Sequence, residues 1–214
     1  MKIKPEILRV YAVTDRSWTG KYTLLEQVEQ ALKGGATCIQ FRDKTLDDKA
    51  FLEEAKKMKA LCQQYQVPLI INDHVEIAVL CGADGVHVGQ KDMKASAVRE
   101  IVGEDMIIGV SARTVEQAVE AEQAGADYLG SGAVFGTTTK TEAKKLSLET
   151  LKDICQAVQI PVVAIGGVQK ENIPKLAGTG VEGTALVSAV FSAQDIEEEC
   201  RQLRCITEEM LQRY

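Results

Sequence analysis

The sequence lacks a long hydrophobic run, a block of basic residues and a recognisable secretory leader. None of its apolar stretches approaches the roughly 20 residues that a membrane-spanning helix needs, so we expect no membrane partner. No apolar run follows the N-terminal segment 1–5, and we expect no signal peptide. Acidic residues outnumber basic ones by 31 to 25, which argues against a nucleic acid partner. A local cationic pocket remains compatible with this charge, so small phosphorylated molecules are the expected partners.

Histidine is scarce, and the cysteines lack the spacing of a metal site. There are two histidines, and none of the six cysteines forms a C-x-x-C pair, so neither zinc spacing nor a redox pair is present. No Ser-His-Asp constellation can be assembled from the spacing of the residues. The pattern predicts reduced, mostly buried thiols in a cytoplasmic protein.

Length and composition are those of one globular domain. The chain has 214 residues, of which 45% are hydrophobic and 26% are charged, close to the average for globular proteins. This length can bury a sizeable core but lies below the size at which cores usually divide. We therefore expect a single domain across residues 1–214.

Short apolar runs alternate with longer amphipathic stretches along the chain. The runs predict eight strands, at residues 7–14, 38–41, 68–71, 85–88, 106–110, 128–131, 162–165 and 183–187. The stretches that follow them predict helices at residues 23–33, 47–66, 75–80, 94–102, 114–124, 147–157, 170–176 and 193–213. Thr114 and Ser147 are the expected caps of two of these helices.

Eight strand–helix units in a chain of this length favour an α/β fold, the single-domain (β/α)8 TIM barrel. A doubly wound open sheet is the alternative, although it usually has fewer strands. In both folds the loops that follow the strands carry the chemistry, and the loops that precede them carry stability.

The second predicted strand ends in polar residues. Gln40, Phe41, Arg42, Asp43 and Lys44 place an amide and two cations beside one carboxylate. Arg42 and Lys44 are suited to clamping a phosphate or pyrophosphate. An ordinary solvated turn is the alternative interpretation of this segment.

The third and fourth strands also end in polar residues. Asn72 and Asp73 follow one strand and Asp92 follows the next, so the two carboxylates should approach each other at the barrel mouth. Mg²⁺ accepts such oxygen ligands while it bridges substrate phosphates. The alternative is that Asp73 caps the following helix and Asp92 stays in solvent. His87 should either line the pocket or form part of the hydrogen-bonded core, and the core role is favoured.

Hydroxyl groups follow the fifth and sixth strands. Ser111 is interpreted as a binding hydroxyl rather than a nucleophile. The long loop after the sixth strand contains Thr137, Thr138, Thr139 and Lys140. Three hydroxyls and one cation suit a loop that folds over an anion.

Glycines and a possible short extra helix follow the last two strands. Gly166 and Gly167 bring bare backbone to the mouth, and Val187 and Ser188 begin the possible helix. Loops seven and eight together with a helix N-terminus form the usual phosphate site of this barrel. The chain therefore predicts two anion sites, one metal-assisted near loops two to four and one backbone-based near loops seven and eight. Two phosphorylated substrates could be joined between them.

Several short motifs occur in a fixed order over nearly the whole chain. They are Gln40-x-Arg42-x-Lys44, Asn72-Asp73, His87-Val88-Gly89-Gln90-x-Asp92, Gly109-x-Ser111, Thr137-x-Thr139-Lys140, Ile165-Gly166-Gly167 and Val187-Ser188-Ala189. In this order and spacing they resemble the thiamine phosphate synthase family. The resemblance implies the condensation of hydroxymethylpyrimidine diphosphate with thiazole phosphate, or with its carboxylated form, to thiamine phosphate and pyrophosphate.

The resemblance also implies roles for individual residues. Asp73 and Asp92 correspond to the Mg²⁺ ligands. The pyrimidine diphosphate site would comprise Gln40, Phe41, Arg42, Asp43, Lys44, Asn72, Ser111 and Lys140, with Arg42, Lys44, Ser111 and Lys140 as the catalytic residues. The thiazole phosphate site would comprise Thr137, Thr138, Thr139, Gly167, Val187 and Ser188. The family is thought to lose pyrophosphate through a pyrimidine carbocation, so no enzymic nucleophile is implied.

Three residues beside these contacts depart from the family pattern, and other functions stay open. Arg113 stands where a His is common, Gly136 where a Pro is usual, and Glu142 where an Asp is common.

One alternative function is that of the related thiazole tautomerase, which needs no diphosphate clamp. Another is a barrel that binds phosphorylated ligands without catalysis. A sugar-phosphate isomerase or lyase would need paired acid and base residues, and no convincing pair is found. A homo-oligomer would be unsurprising.

Overall fold

Eight parallel strands form a closed barrel in the computed structural model, which describes residues 3–136 and 145–212. The strands are β1 (Val10–Val13), β2 (Cys38–Phe41), β3 (Leu69–Asn72), β4 (Gly85–Val88), β5 (Ile107–Ala112), β6 (Tyr128–Gly132), β7 (Val162–Ile165) and β8 (Gly183–Leu186). Each strand pairs with the next in chain order, and β8 pairs with β1. The TIM-barrel prediction is therefore confirmed, because an open sheet would leave β1 and β8 unpaired.

Helices surround the barrel. They are α1 (Leu24–Lys33), α2 (Asp48–Gln64), α3 (Val75–Leu80), α4 (Ala95–Val102), α5 (Val115–Gln123), α6 (Leu148–Ala157), α7 (Ser188–Phe191) and α8 (Ile196–Gln212). The predicted caps Thr114 and Ser147 are confirmed, since each side chain accepts a hydrogen bond from a backbone N–H in the first turn. The short helix expected after the eighth strand is also present, as α7. Within residues 3–136 and 145–212, no helix combines the length and apolar character needed to cross a membrane.

Side chains along each strand alternate between the barrel interior and the helix layer. In β1, Tyr11 and Val13 join the interior cluster, whereas Val10 and Ala12 pack under the helices. Leu8 also belongs to the interior cluster and is fully buried. Apolar side chains thus fill the lower barrel, and the space above them remains for a cavity at the carboxyl ends of the strands.

The structure corrects the bounds of several predicted elements. The strand predicted at 7–14 begins only at Val10, because Pro5–Leu8 forms a 3-10 helix. The helix predicted at 170–176 is reduced to a 3-10 helix over Ile173–Leu176, in which Pro174 has no N–H to donate to a longer helix. The last helix begins at Ile196 rather than at 193.

Candidate active site

A cavity of about 590 Å³ opens at the carboxyl ends of the strands. It is lined by Tyr11, Val13, Gln40, Arg42, Asn72, His87, Ser111, Arg113, Gly130, Gly132, Ala133, Phe135, Gly136, Val163, Ile165, Gly166, Gly167, Val168, Gln169, Asn172, Ala185, Val187 and Ser188. Seven of the predicted site residues are in this lining, from Gln40 in β2 to Ser188 in α7. The described part of the lining contains no Asp or Glu.

The two candidate metal ligands lie beside the cavity and contact each other. The carboxyl groups of Asp73 and Asp92 lie within hydrogen-bonding distance of each other, and Lys44 Nζ donates to Asp73 Oδ2 at 2.6 Å. Burial alone would raise the pKa of Asp73, but the hydrogen bonds and charge of Lys44, together with contacts to Asp92 and Asn72, lower this pKa below its ordinary value. Asp73 is therefore an anion at neutral pH, held beside a second carboxylate.

The backbone of Asp73 adopts an uncommon conformation that directs this side chain. Its φ angle is +64°, in the left-handed region that few residues other than glycine occupy. Asp73 N–H donates to His87 O at 2.9 Å, so the loop after β3 is tied to β4. The cap position of α3 is taken by His74. The Asp73 carboxylate therefore faces Lys44 and Asp92 instead of capping the helix.

The residues at this place fit a magnesium ion. Mg²⁺ is usually held by one or two carboxylates together with substrate phosphates and waters, rather than by a complete protein cage. Asp73 and Asp92 supply two such carboxylates, and Asp92 Oδ2 also accepts a hydrogen bond from Gly89 N–H at 2.8 Å. Among the described residues, no group of three or more His, Cys, Asp or Glu side chains could hold a metal, so Asp73 and Asp92 stand as a pair of carboxylates.

Hydrogen bonds to β1 and its following loop fix the segment after β2. The Thr14 hydroxyl donates to Arg42 O and accepts from Arg42 N–H, both at 2.9 Å. The buried Asp43 carboxylate accepts hydrogen bonds from Arg16 and Thr45. The backbone of Arg42 is thus held on both sides, and its side chain reaches the cavity.

Two of the predicted binding residues face away from the cavity. Phe41 is fully buried and packs against Phe51 of α2, with ring centroids 4.4 Å apart. The side chain of Asp43 has no exposed surface and is engaged within its own loop. Both side chains support the segment that carries Arg42 and Lys44, and neither lines the cavity.

We expect the Asp43→Asn variant to lose more stability at neutral pH than in acid. Burial would raise the pKa of Asp43, but hydrogen bonds from Thr45 and Arg16 lower it below its ordinary value. The associated stabilisation is complete above the unfolded-state pKa of about 3.9 and disappears as the pH falls through the lower folded-state pKa. The free energy of unfolding at pH 7 should therefore fall by about 2 kcal/mol in the variant.

Urea unfolding of parent and variant at pH 7 and at pH 3 tests this pH dependence. The difference between the two proteins should shrink on acidification. Asp153→Asn, at an exposed position on α6, is the matched control and should leave the unfolding midpoint unchanged at both pH values. A difference between Asp43→Asn and the parent that is as large at pH 3 as at pH 7 would contradict the expectation.

A chain of hydrogen bonds crosses the barrel under the cavity. Gln40 Nε2 donates to Tyr11 Oη at 2.7 Å, and Tyr11 Oη lies 2.6 Å from Tyr128 Oη. Tyr128 Oη is 2.9 Å from His87 Nδ1, and His87 Nε2 is 2.9 Å from Ser111 Oγ. His87 therefore both lines the cavity and belongs to the hydrogen-bonded core, the two roles weighed for it from the sequence.

Loops six and seven form the opposite wall. Gly167 has a φ angle of +67°, and a Cβ on it would lie 2.2 Å from Gly136 O. Asn172 Nδ2 donates to Gly167 O at 2.8 Å, which holds this backbone in place. Val187 and Ser188 line the same side of the cavity. Thr137, Thr138, Thr139, Lys140 and Glu142 lie outside the described residues.

Sequence reasoning missed Tyr11 and Tyr128, and it noted Arg113 only as a departure from a family pattern. Tyr11 and Arg113 line the cavity, whereas Tyr128 lies beneath it. The one indirect sign of Tyr128 in the sequence is Gly109, a residue without a side chain in the neighbouring strand. A Cβ on Gly109 would lie 2.1 Å from Tyr128 Cζ, so this small residue leaves room for a large one on the next strand.

Comparison with known proteins identifies close relatives over almost the full length. The family model described as thiamine monophosphate synthase (TMP-TENI) matches residues 10–190. The chain is 50% identical to a thiamine-phosphate synthase of Ruminiclostridium cellulolyticum, over 91% of this chain and 92% of that protein. It is 47% identical to a thiamine-phosphate synthase of Enterococcus faecalis, over 97% of this chain and 98% of that protein.

A solved structure is similar as well. The thiamine phosphate pyrophosphorylase from Pyrococcus furiosus superposes with a TM-score of 0.89 and 40% sequence identity. The match covers 97% of this chain and 98% of the other. The similarity therefore extends over almost the whole of both chains.

Proposed function

Because the chain belongs to the thiamine monophosphate synthase family, we propose that it is a transferase that condenses hydroxymethylpyrimidine diphosphate with thiazole phosphate to give thiamine phosphate and pyrophosphate. One observation carries the proposal beyond family membership. Cationic and carboxylate side chains suited to a magnesium diphosphate, Arg42, Lys44, Asp73 and Asp92, lie together at one edge of the cavity. A tautomerase acting on thiazole phosphate alone would not need them.

The diphosphate would lie at this edge of the barrel. Arg42 lines the cavity there, Lys44 is paired with Asp73 just outside the lining, and Ser111 lines the cavity from β5. Lys140 is proposed as a further cation for the same group. Asp73 and Asp92 would hold Mg²⁺, which, when bound, neutralises diphosphate charge and stabilises the departing pyrophosphate. The Lys44 ammonium group, at the same edge, would contact the diphosphate.

The two ring systems would occupy the centre and the far side of the cavity. Gln40 and Asn72 present amide groups for the pyrimidine. The thiazole phosphate would bind among Gly167, Val187 and Ser188, with Thr137, Thr138 and Thr139 as further contacts. Apolar lining residues such as Val163 and Ile165 would keep water away from the reacting carbon.

The proposed reaction is dissociative and uses the protein for positioning. The bond between the pyrimidine methylene and the pyrophosphate oxygen breaks, and both electrons leave with pyrophosphate. The lone pair of the thiazole nitrogen then forms the new C–N bond to that methylene. Arg42, Lys44, Ser111 and Lys140 would stabilise charge on the leaving group, and the barrel would align the two rings. No enzymic nucleophile is required.

Pyrophosphate release tests the proposed function. Purified protein is mixed with both substrates and Mg²⁺, and each component is then left out in turn. Release that needs both substrates and the metal supports the proposal. Conversion of a thiazole phosphate tautomer without pyrophosphate release would favour the tautomerase, and binding without turnover would favour a ligand-binding barrel.

We expect Arg42→Gln to lower kcat/KM for the pyrimidine diphosphate about a hundredfold, because a charge-assisted contact to the leaving group is lost. Folding should be preserved, since Thr14 holds the backbone of residue 42 rather than its side chain. Arg201→Gln, at an exposed arginine of α8 with two glutamate partners, is the matched control. Equal kinetics for the parent and Arg42→Gln would remove Arg42 from the site.

The proposal also includes the cellular location and the binding partners of the enzyme. All six cysteines are free thiols, which suits the reducing cytoplasm. Its partners would be small phosphorylated molecules rather than nucleic acid or membrane. Homo-oligomerisation stays a prediction, for which size measurement in solution is the test.

A further inference from the structure

The hydrogen-bond chain beneath the cavity connects the two ends of the proposed pyrimidine diphosphate site. Gln40 stands at one end and Ser111 at the other, and Tyr11, Tyr128 and His87 lie between them. Tyr11 and Tyr128 are almost completely buried, and His87 is 8% exposed. Buried hydroxyls must satisfy their hydrogen bonds within the protein, so the direction of each bond is constrained.

The direction of the first bond sets that of the second. Gln40 Nε2 can only donate, so Tyr11 Oη accepts this bond. The Tyr11 proton is then directed to Tyr128 Oη, 2.6 Å away. The thiol of Cys38 also lies close to Tyr11, but a thiol is a weak hydrogen-bonding group and does not compete with a phenol.

The second bond in turn sets the direction of the bonds to His87 and Ser111. Tyr128 accepts from Tyr11 and therefore donates its own proton to His87 Nδ1. Burial raises the pKa of both tyrosines well above the ordinary value, so both keep their protons at neutral pH. With Nδ1 as an acceptor, a neutral His87 carries its proton on Nε2 and donates it to Ser111 Oγ.

We infer that Tyr11, Tyr128 and His87 are positioning residues that form a one-directional hydrogen-bond chain, which leaves the Gln40 carbonyl oxygen as an acceptor and the Ser111 hydroxyl as a donor in the cavity. The inference rests on the proposed function for its meaning. The pyrimidine substrate of the proposed reaction is 4-amino-2-methyl-5-hydroxymethylpyrimidine diphosphate. An amide oxygen matches its exocyclic amine, and a hydroxyl proton matches an oxygen of its diphosphate. The chain would thereby fix which polar atom each of these two side chains offers to the substrate.

Glycines in β5 and β6 make room for this chain. A Cβ on Gly130 would lie 3.1 Å from His87 Cε1, and one on Gly109 would lie 2.3 Å from Tyr128 Oη. The rings of Tyr11 and Tyr128 meet edge to face, with centroids 5.8 Å apart. Because neighbouring residues occupy the surrounding space, the participating side chains are confined to this arrangement.

The first experiment determines the tautomer of His87 by NMR. In untagged protein labelled with ¹⁵N-histidine there are only two imidazoles, and His74→Gln leaves that of His87 alone. Two-bond ¹⁵N–¹H correlations at neutral pH, without substrate or metal, then show which ring nitrogen carries the proton. A proton on Nε2 alone supports the inference. A proton on Nδ1, which corresponds to the reversed chain, or on both nitrogens, would overturn it whatever the activity of the enzyme.

Two tyrosine variants test the functional meaning of the direction. Tyr11→Phe frees the Gln40 amide to rotate, and we expect KM for the pyrimidine diphosphate to rise about tenfold with a smaller change in kcat. Tyr128→Phe removes the donor to His87, so a mixture of tautomers should appear and Ser111 can donate to the imidazole instead of the substrate. We expect kcat to fall about tenfold with a smaller change in KM.

The control is a tyrosine hydroxyl outside the barrel. Tyr65→Phe removes a hydroxyl that donates to Glu29 at 3.1 Å, and it should change neither kinetics nor the His87 spectrum. If the two tyrosines had a purely structural role, both variants would show a lower kcat and a higher KM to similar extents, and the His87 tautomer would be unchanged. That result would overturn the functional part of the inference.

Discussion

Replacing Asp92 with asparagine is expected to lower kcat about a hundredfold while leaving the fold intact. An asparagine side-chain oxygen can still accept the hydrogen bond that Asp92 receives from Gly89 N–H, so the loop after β4 should keep its shape. The lost feature is the negative charge beside Asp73, on which the proposed metal site depends. Activity should therefore need a higher Mg²⁺ concentration in the variant than in the parent.

The measurement is pyrophosphate release as a function of Mg²⁺ concentration, with thermal unfolding recorded in parallel. Asp195→Asn is the matched control, because the Asp195 carboxylate also accepts a hydrogen bond from a backbone N–H, that of Glu198 in the first turn of α8. The control should behave as the parent does. An Asp92→Asn enzyme with unchanged kcat and unchanged Mg²⁺ dependence would show that Asp92 is not a metal ligand.

The order of the strands could be predicted from the sequence, but the start of β1 could not. Eight apolar runs with polar segments after them specify eight strand–helix units. Ile7 and Leu8 extend the first run, yet Leu8 is buried at the bottom of the barrel interior, before the strand begins. Hydrophobicity shows that a residue is buried but does not show whether its backbone pairs with another strand.

The site was predicted at the level of loops, whereas the direction of individual side chains was not. Barrel strands are covered on both faces, so apolar residues occur at inward and outward positions alike. In β2, Gln40 is the one polar residue, and its side chain points into the cavity. Because successive side chains of a strand point to opposite faces, Phe41 points outward, toward Phe51. In β1 no polar residue gives such a signal, so the inward direction of Tyr11 could not be read from the sequence.

Contacts between distant residues were also beyond sequence reasoning. Arg16 lies in the loop after β1, yet it pairs with Asp43 after β2 and with Glu54 in α2. The expected role of Asp43 in binding came from its place next to Arg42. Its buried carboxylate instead supports the loop, because a charged partner from another unit occupies it.

The second large effect is expected at Gly109, where alanine should lower the free energy of unfolding by about 3 kcal/mol. The new Cβ would lie 2.1 Å from Tyr128 Cζ and 2.3 Å from its hydroxyl oxygen. Tyr128 is fully buried and sits on the neighbouring strand, so its ring cannot move without displacing the barrel interior. Activity should also fall, because any shift of this ring breaks the contacts to Tyr11 and His87.

Two other glycines give the graded comparison that this prediction needs. A Cβ on Gly130 would meet His87 Cε1 at 3.1 Å, a contact that a small displacement relieves, and a Cβ on Gly20 would meet no atom within 4 Å. Urea unfolding should therefore show an unchanged free energy of unfolding for Gly20→Ala, a small decrease for Gly130→Ala and the largest decrease for Gly109→Ala. If Gly109→Ala were as stable as Gly20→Ala, the Tyr128 ring could not lie where the hydrogen-bond chain requires it. The same stability measurement thus tests the packing on which the direction of that chain depends.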